Sequence, residues 1–239
     1  GASSGIGAAT ARALVHHGLV VVGLARREDR LKQLAEELSN AEEPGKLYPW
    51  KADLRKEEDI LAAFSWVESV LGGADVLVNN AGVFRAGNIS EGITEDWRTL
   101  LEVNVLAVAI CTREFLRSMD KRHNINGHIF IINSIAGHIP GHSKLNMYSG
   151  TKHAVHAFSS CLRKELARKN STIKVTNVSP GPVSTEIFDG TNGRELLAGI
   201  PILESEDIAA VIVQSLGTSP VNQICEVVMN SVPTVHGMY

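Results

Sequence analysis

A chain of 239 residues, 44% hydrophobic and 21% charged, carries enough apolar content for one α/β core and leaves little room for a second. Its formal net charge of −3, with lysines and arginines scattered, provides no basic field for nucleic acid phosphates. The three cysteines, Cys111, Cys161 and Cys225, form no CxxC pair, which predicts reduced thiols and a cytoplasmic protein, and no apolar run approaches the roughly 20 residues of a membrane-spanning helix.

The chain opens on "GASSGIG", Gly1 to Gly7, a glycine-spaced turn of the kind that follows a buried strand. Helical spacing of Ile6, Ala9, Ala13 and Leu14 follows, with Gly18 as the stop, and "LVVVGLA" then reads as a strand buried on both faces. The alternation continues with a helix around Arg27 to Ser39, a strand around Lys46 to Ala52, a helix around Lys56 to Leu71 and the strand "ADVLVN". Long helices around Glu95 to Met119 and Met147 to Lys169 flank the strand "GHIFIIN". Strands "TIKVTNV" and "ICEVVM" close the series around a helix at Glu204 to Leu216. Strands alternating with long helices predict a three-layer, Rossmann-type doubly wound parallel sheet, one domain over residues 1–239.

Only the strand that should precede the glycine turn, in the middle of the sheet, has no counterpart in the sequence. Removing a central strand would expose two rows of ladder groups and open the core, against a stability margin of roughly 5–15 kcal/mol. The expectation is an N-terminally truncated stretch of a longer protein. The loosest segment, Ser184 to Ile202, carries Ile187, Phe188, Leu196 and Leu197 and reads either as an exposed loop or as an apolar lid.

Chemistry concentrates at the strand ends. Gly1, Gly5 and Gly7 let backbone N–H groups and a helix N-terminus approach a pyrophosphate, although small-residue turns also join strands to helices without any ligand. At the end of the second strand position, "GLARRED" puts Arg26 and Arg27 where a carboxylate would bind the ribose of NAD, which favours NADP, against a solvated pair neutralised by Glu28 and Asp29. In "YSGTK", Tyr148 and Lys152 stand one helical turn apart. An ammonium about 5 Å away at an effective dielectric near 20 should favour phenolate by roughly 3 kcal/mol, or about two pK units. Ser134 ends "GHIFIIN" where a hydroxyl can polarise a carbonyl, and Asn104 interrupts an apolar helix where a buried amide needs partners.

Taken together, the glycine turn, "NNAG" at Asn79 to Gly82, Asn104, Ser134, YxxxK and "PGPVST" at Pro180 to Thr185 resemble the short-chain dehydrogenase/reductase family over nearly the whole chain. "GLARR", "ITEDWRTLLEVNVLAVAICTRE" and "INSIAGH" resemble further the NADP-dependent farnesol dehydrogenase-like subgroup. The resemblance implies a catalytic tetrad in which Tyr148 exchanges a proton with the substrate oxygen, Ser134 holds that oxygen, Lys152 binds the nicotinamide ribose and lowers the tyrosine pKa, and Asn104 positions a water relay. It implies NADP binding by Gly1, Ser3, Ser4, Gly5, Ile6 and Gly7 at the turn, by Arg26 and Arg27, and by Asp53 and Leu54 at the adenine. Asn80, Ala81 and Gly82 would line the ribose side, with Tyr148 and Lys152, and Pro180, Gly181, Val183 and Thr185 the nicotinamide. Gly150 departs from the usual Ala or Ser, at about 0.5–1 kcal/mol in a helix interior.

The expected activity is interconversion of a hydrophobic alcohol with its aldehyde or ketone, farnesol being the sharpest candidate and ketosteroids or general carbonyls the alternatives, given Ile139, Leu145, Met147, Ile187 and Phe188 near the cleft. A non-catalytic NADP sensor would not need the whole tetrad, and a sugar-nucleotide epimerase would need more chain after Glu204. No metal site is expected from the nine histidines, since His153 and His156 lack a clear third ligand. Assembly as a homodimer or homotetramer is implied by the family.

Overall fold

The computed structural model describes residues 1–139, 143–189, 199 and 201–233. In chain order the elements are α1 Gly5–His16, β1 Val20–Ala25, α2 Glu28–Asn40, β2 Lys46–Lys51, α3 Glu57–Leu71, β3 Val76–Asn79, α4 Thr94–Leu101, α5 Ala107–Lys121, β4 His128–Ile132, α6 Asn146–Arg168, β5 Lys174–Pro180, α7 Ser205–Leu216 and β6 Glu226–Met229. All strand pairs are parallel, in the orders β1-β2 and β3-β4-β5-β6.

Alternation along β4 divides the core. Ile129 and Ile131 pack with Phe115 and Met119 of α5 and Val155, Leu162 and Leu166 of α6 on one face. Phe130 and Ile132 point the other way, against Ile208 and Ile212 of α7. A further cluster joins α1, α2 and β2 through Ala11, Val15, Leu34, Leu38 and Leu47. The result is the three-layer, doubly wound arrangement that the element order predicts.

β1 and β3 are not paired with one another. A largely apolar cavity of about 490 Å³ separates them, lined by Val21, Val22, Val76 and Val78 among others. This also corrects the expectation that "LVVVGLA" is buried on both faces: Val20 is 58% exposed and Val21 and Val22 are half-buried, because among the described residues β1 pairs with a strand on one edge alone.

The long helix expected from Glu95 to Met119 is interrupted. Residues Glu102–Leu106 form a π-helical turn between α4 and α5. That turn carries the buried Asn104, whose place in an apolar helix needed explaining.

Candidate active site

The parallel strands end on one side in a cleft of about 1060 Å³. Its floor is the glycine turn. Gly5 has φ +53°, a conformation open to glycine at little strain, and a Cβ on Gly7 would lie 2.0 Å from the Gly1 carbonyl oxygen. The turn therefore folds flat against its own start, and α1 begins beneath the cleft. Ser3, Ser4, Gly5 and Ile6 line the cavity along with Gly1. Gly7 does not, so its role is close packing of the turn.

One end of the cleft is basic. Arg26 and Arg27 follow β1, and both line the cavity. Arg27 reaches Ser4 Oγ at 2.6 Å and Glu186 Oε2 at 2.6 Å, while Arg30 donates to the same carboxylate at 2.6 Å. The two guanidiniums hold the Glu186 carboxyl below the usual carboxylate range. Arg26 is exposed, with no hydrogen-bond partner among the described residues. Asp53 and Leu54 stand beside them, and Arg55 grips the Asp53 carboxylate at 2.6 Å and lowers its pKa.

The other end gathers the acid–base residues. Ser134 caps a short 3-10 turn, its Oγ accepting from the Ala136 N–H at 3.1 Å. Tyr148 and Lys152 project from α6, with Lys152 Nζ 5.7 Å from the Tyr148 ring centre and donating to the Ile132 carbonyl at 3.0 Å. Asn80, Ala81, Gly82, Pro180, Gly181, Val183 and Thr185 complete this part of the wall. Ser134 and Tyr148 line the same cavity.

The tyrosine pKa departs from expectation. Burial pushes Tyr148 up to about 12, with the Ser134 hydroxyl offsetting part of the rise. Burial also pulls Lys152 down to about 8. A Coulomb estimate at dielectric 20 captures the pull of the cation and omits the loss of water around the phenol, which is the larger effect here.

Asn104 lies behind the wall rather than in the cleft. Its Oδ1 accepts from the Val83 N–H at 2.9 Å, and its Nδ2 donates to the Val83 carbonyl at 3.0 Å and to Thr151 Oγ1 at 3.2 Å. The amide thus clamps the loop after "NNAG" to the helix that carries Tyr148 and Lys152. The side chain is engaged by protein at both ends, which fixes this part of the wall.

Sequence reasoning missed several neighbours. Phe84 is buried, with ring centres 5.1 Å from Tyr148 and 5.2 Å from Phe188, and builds an apolar wall beside the phenol. Ile139, Leu145 and Ile187 extend that wall, whereas Met147 does not line the cleft. Asn133 also lines it, and neither amide atom has a partner among the described residues. Only its position beside Ser134 could have drawn attention to it. The lid residues Leu196 and Leu197 fall outside the described residues.

The sequence matches the model of the short chain dehydrogenase family over residues 1–195. It is 44% identical over 236 residues to dehydrogenase/reductase SDR family member 11 of Gallus gallus, covering 96% of this chain and 92% of that protein. It is 42% identical over 234 residues to the farnesol dehydrogenase of Aedes aegypti, covering 97% and 94%. Among solved structures, the closed form of serine dehydrogenase complexed with NADP+ superposes with a TM-score of 0.84 at 28% identity, covering 97% of this chain and 92% of that one. An alcohol dehydrogenase from the archaeon Thermococcus sibiricus complexed with 5-hydroxy-NADP gives a TM-score of 0.85 at 27% identity, covering 97% and 94%.

Proposed function

The chain belongs to the short-chain dehydrogenase family, and from that membership we propose that it is an NADP-dependent oxidoreductase interconverting a hydrophobic alcohol with its aldehyde or ketone. The observation that carries the reading is the convergence of Ser134, Tyr148 and Lys152 on one cleft whose far end presents the glycine turn, Arg26 and Arg27.

The residues fit the cofactor. A Cβ at Gly1 would lie 2.8 Å from Ala81 Cα and one at Gly5 2.9 Å from Thr185 Cγ2, so glycine lets the turn pack closely against the wall of the cleft that it lines. The turn and the start of α1 suit a pyrophosphate. Arg26, Arg27 and Arg30 supply the cationic donors that a 2′-phosphate needs, with Asp53 and Leu54 beside them for the adenine. When bound, NADP supplies the hydride chemistry.

The protein's own part is proton management and orientation. Ser134 Oγ holds the substrate oxygen. Tyr148 Oη gives that oxygen a proton in carbonyl reduction and accepts it in alcohol oxidation. Burial keeps the phenol protonated near neutral pH, the form that reduction requires. Lys152, largely protonated at neutral pH, faces the ribose side, and Asn104 fixes the distance between Val83 and α6.

Phe84, Phe188, Ile187, Ile139 and Leu145 give the substrate region an apolar lining. Together with the likeness to a farnesol dehydrogenase, this supports an isoprenoid alcohol such as farnesol as substrate. Assembly as a homodimer or homotetramer is part of the same proposal, and Leu101 and Leu106, 47% and 53% exposed before and at the end of the π turn, offer apolar surface for it. Among the described residues no helix is long and apolar enough to cross a membrane.

The test is absorbance at the reduced-nicotinamide band, with NADP and NAD and a panel of terpenoid alcohols, aldehydes and ketones, including ketosteroids. NADP-linked turnover of a terpenoid is expected. Preference for NAD would overturn the role of the arginines, and turnover of ketosteroids alone would overturn the substrate.

A further inference from the structure

Outside the cleft, the fold supplies the ligand that the histidine spacing lacks. His138 follows the 3-10 turn after Ser134, His156 lies about two turns beyond Tyr148 on α6, and Glu226 opens β6. Nε2 of His138 is 3.2 Å from Glu226 Oε1, and Nε2 of His156 is 3.5 Å from Oε2 of the same carboxylate. All three ligand atoms lie within 4.8 Å of one another. Donors on a tetrahedral ion at bond lengths of about 2.0–2.2 Å are separated by roughly 3.3–3.6 Å. Each imidazole nitrogen is therefore near the required separation from one of the two Glu226 oxygens, and a small carboxylate rotation would present a single oxygen to both.

We propose that His138, His156 and Glu226 bind one Zn²⁺ ion, leaving a fourth position for water. Two imidazoles and one carboxylate suit zinc, whereas Mg²⁺ and Ca²⁺ favour sites built of oxygen. The carboxylate is already oriented: Asn177 Nδ2 donates to Oε1 at 2.7 Å and Ser179 Oγ donates to it at 3.0 Å. Ser179 Oγ also lies 2.9 Å from His138 Nε2, and that contact gives way to the metal bond while the one to Glu226 stays. Side-chain exposures of 11% for His138, 26% for Glu226 and 35% for His156 leave a route from solvent.

None of the three residues lines the cleft, so the proposal stands independently of the nucleotide reading. An ion there would tie the Ser134 turn, α6 and β6 together, bracing two elements that carry acid–base residues.

The experiment is titration of the metal-stripped chain with Zn²⁺ by calorimetry, with Mg²⁺ as control and Co²⁺ absorption as a geometric reporter. One saturable equivalent of Zn²⁺, no response to Mg²⁺ and tetrahedral Co²⁺ bands are expected. Glu226→Gln and His156→Gln should each weaken Zn²⁺ binding at least about tenfold, while His153→Gln leaves it unchanged. Circular dichroism without metal shows whether each variant folds, and the partly exposed His156 remains a valid site if Glu226→Gln does not. Absence of saturable binding, equal affinity in the folded ligand variants, or loss on changing His153 would overturn the proposal.

Discussion

Lys152 offers a direct measure of what the site withdraws from stability. Its ammonium is buried and titrates at about 8 instead of 10.5, which at 1.36 kcal/mol per pH unit makes the charged form about 3 kcal/mol less favourable in the folded chain than in the unfolded one. The folded pKa lies below the unfolded value, so the unfolded chain binds more protons between the two. Stability from this group is lowest below pH 8 and recovers as pH rises toward 10.5. Lys152→Met removes the titration and nearly keeps the volume. It also removes the donor to the Ile132 carbonyl, at about 1–3 kcal/mol, a loss nearly independent of pH. The informative quantity is the difference in Tm between variant and wild type, followed without cofactor from pH 7 to 10. About 2.5 kcal/mol of the penalty is relieved between pH 7 and 10, so the wild type should gain on the variant by roughly 5–10 °C across the interval, at about 2–4 °C per kcal/mol for a chain of this size. The raised Tyr148 pKa is common to both proteins and cancels. A difference constant with pH would refute the reasoning, because it would mean that Lys152 keeps its charge as an exposed lysine does.

Tyr148→Phe should lower kcat by about 10²- to 10⁴-fold with the nucleotide KM nearly unchanged, as loss of one general acid demands; wild-type turnover in steady-state assays would remove the phenol from the mechanism. Glu186→Gln frees Arg27 and Arg30 from a carboxylate that a phosphate must displace. An exposed ion pair contributes about 0.2–1 kcal/mol, so the NADPH KM should fall by up to about fivefold while that for NADH stays put, and a rise for NADPH would contradict the arrangement. Gly7→Ala places a Cβ on the Gly1 carbonyl and should lower the urea midpoint by the equivalent of about 1–3 kcal/mol or more; an unchanged midpoint would show that the turn opens freely.

The alternation of elements was readable because buried parallel strands and amphipathic helices leave strong periodic signals: α3 and α6 begin and end within a residue of expectation. The π turn was not, since Glu102–Leu106 carries no local pattern that separates a π turn from an α-helical one. Ser134, Tyr148 and Lys152 could be named from order and spacing, yet the tyrosine pKa could not, because burial is a property of Phe84 and the surrounding wall, which come from other parts of the chain. Contacts across long separations were equally hidden. Arg30 meets Glu186 at a separation of 156 residues, and His138 and His156 meet Glu226 only because α6 packs beside β5 and β6 is β5's neighbour.

The wide turn at Glu102–Leu106 acts as a splice of fixed length. One residue beyond the α-helical count rotates everything downstream by about 100°, and with this phase Asn104 faces Val83 while Ala107, Val108 and Cys111 still face the interior. Losing a single residue there would restore a uniform helix and swing either the amide or the apolar stripe toward solvent. Chain length in this short stretch is therefore as strictly constrained as the identity of the asparagine it presents.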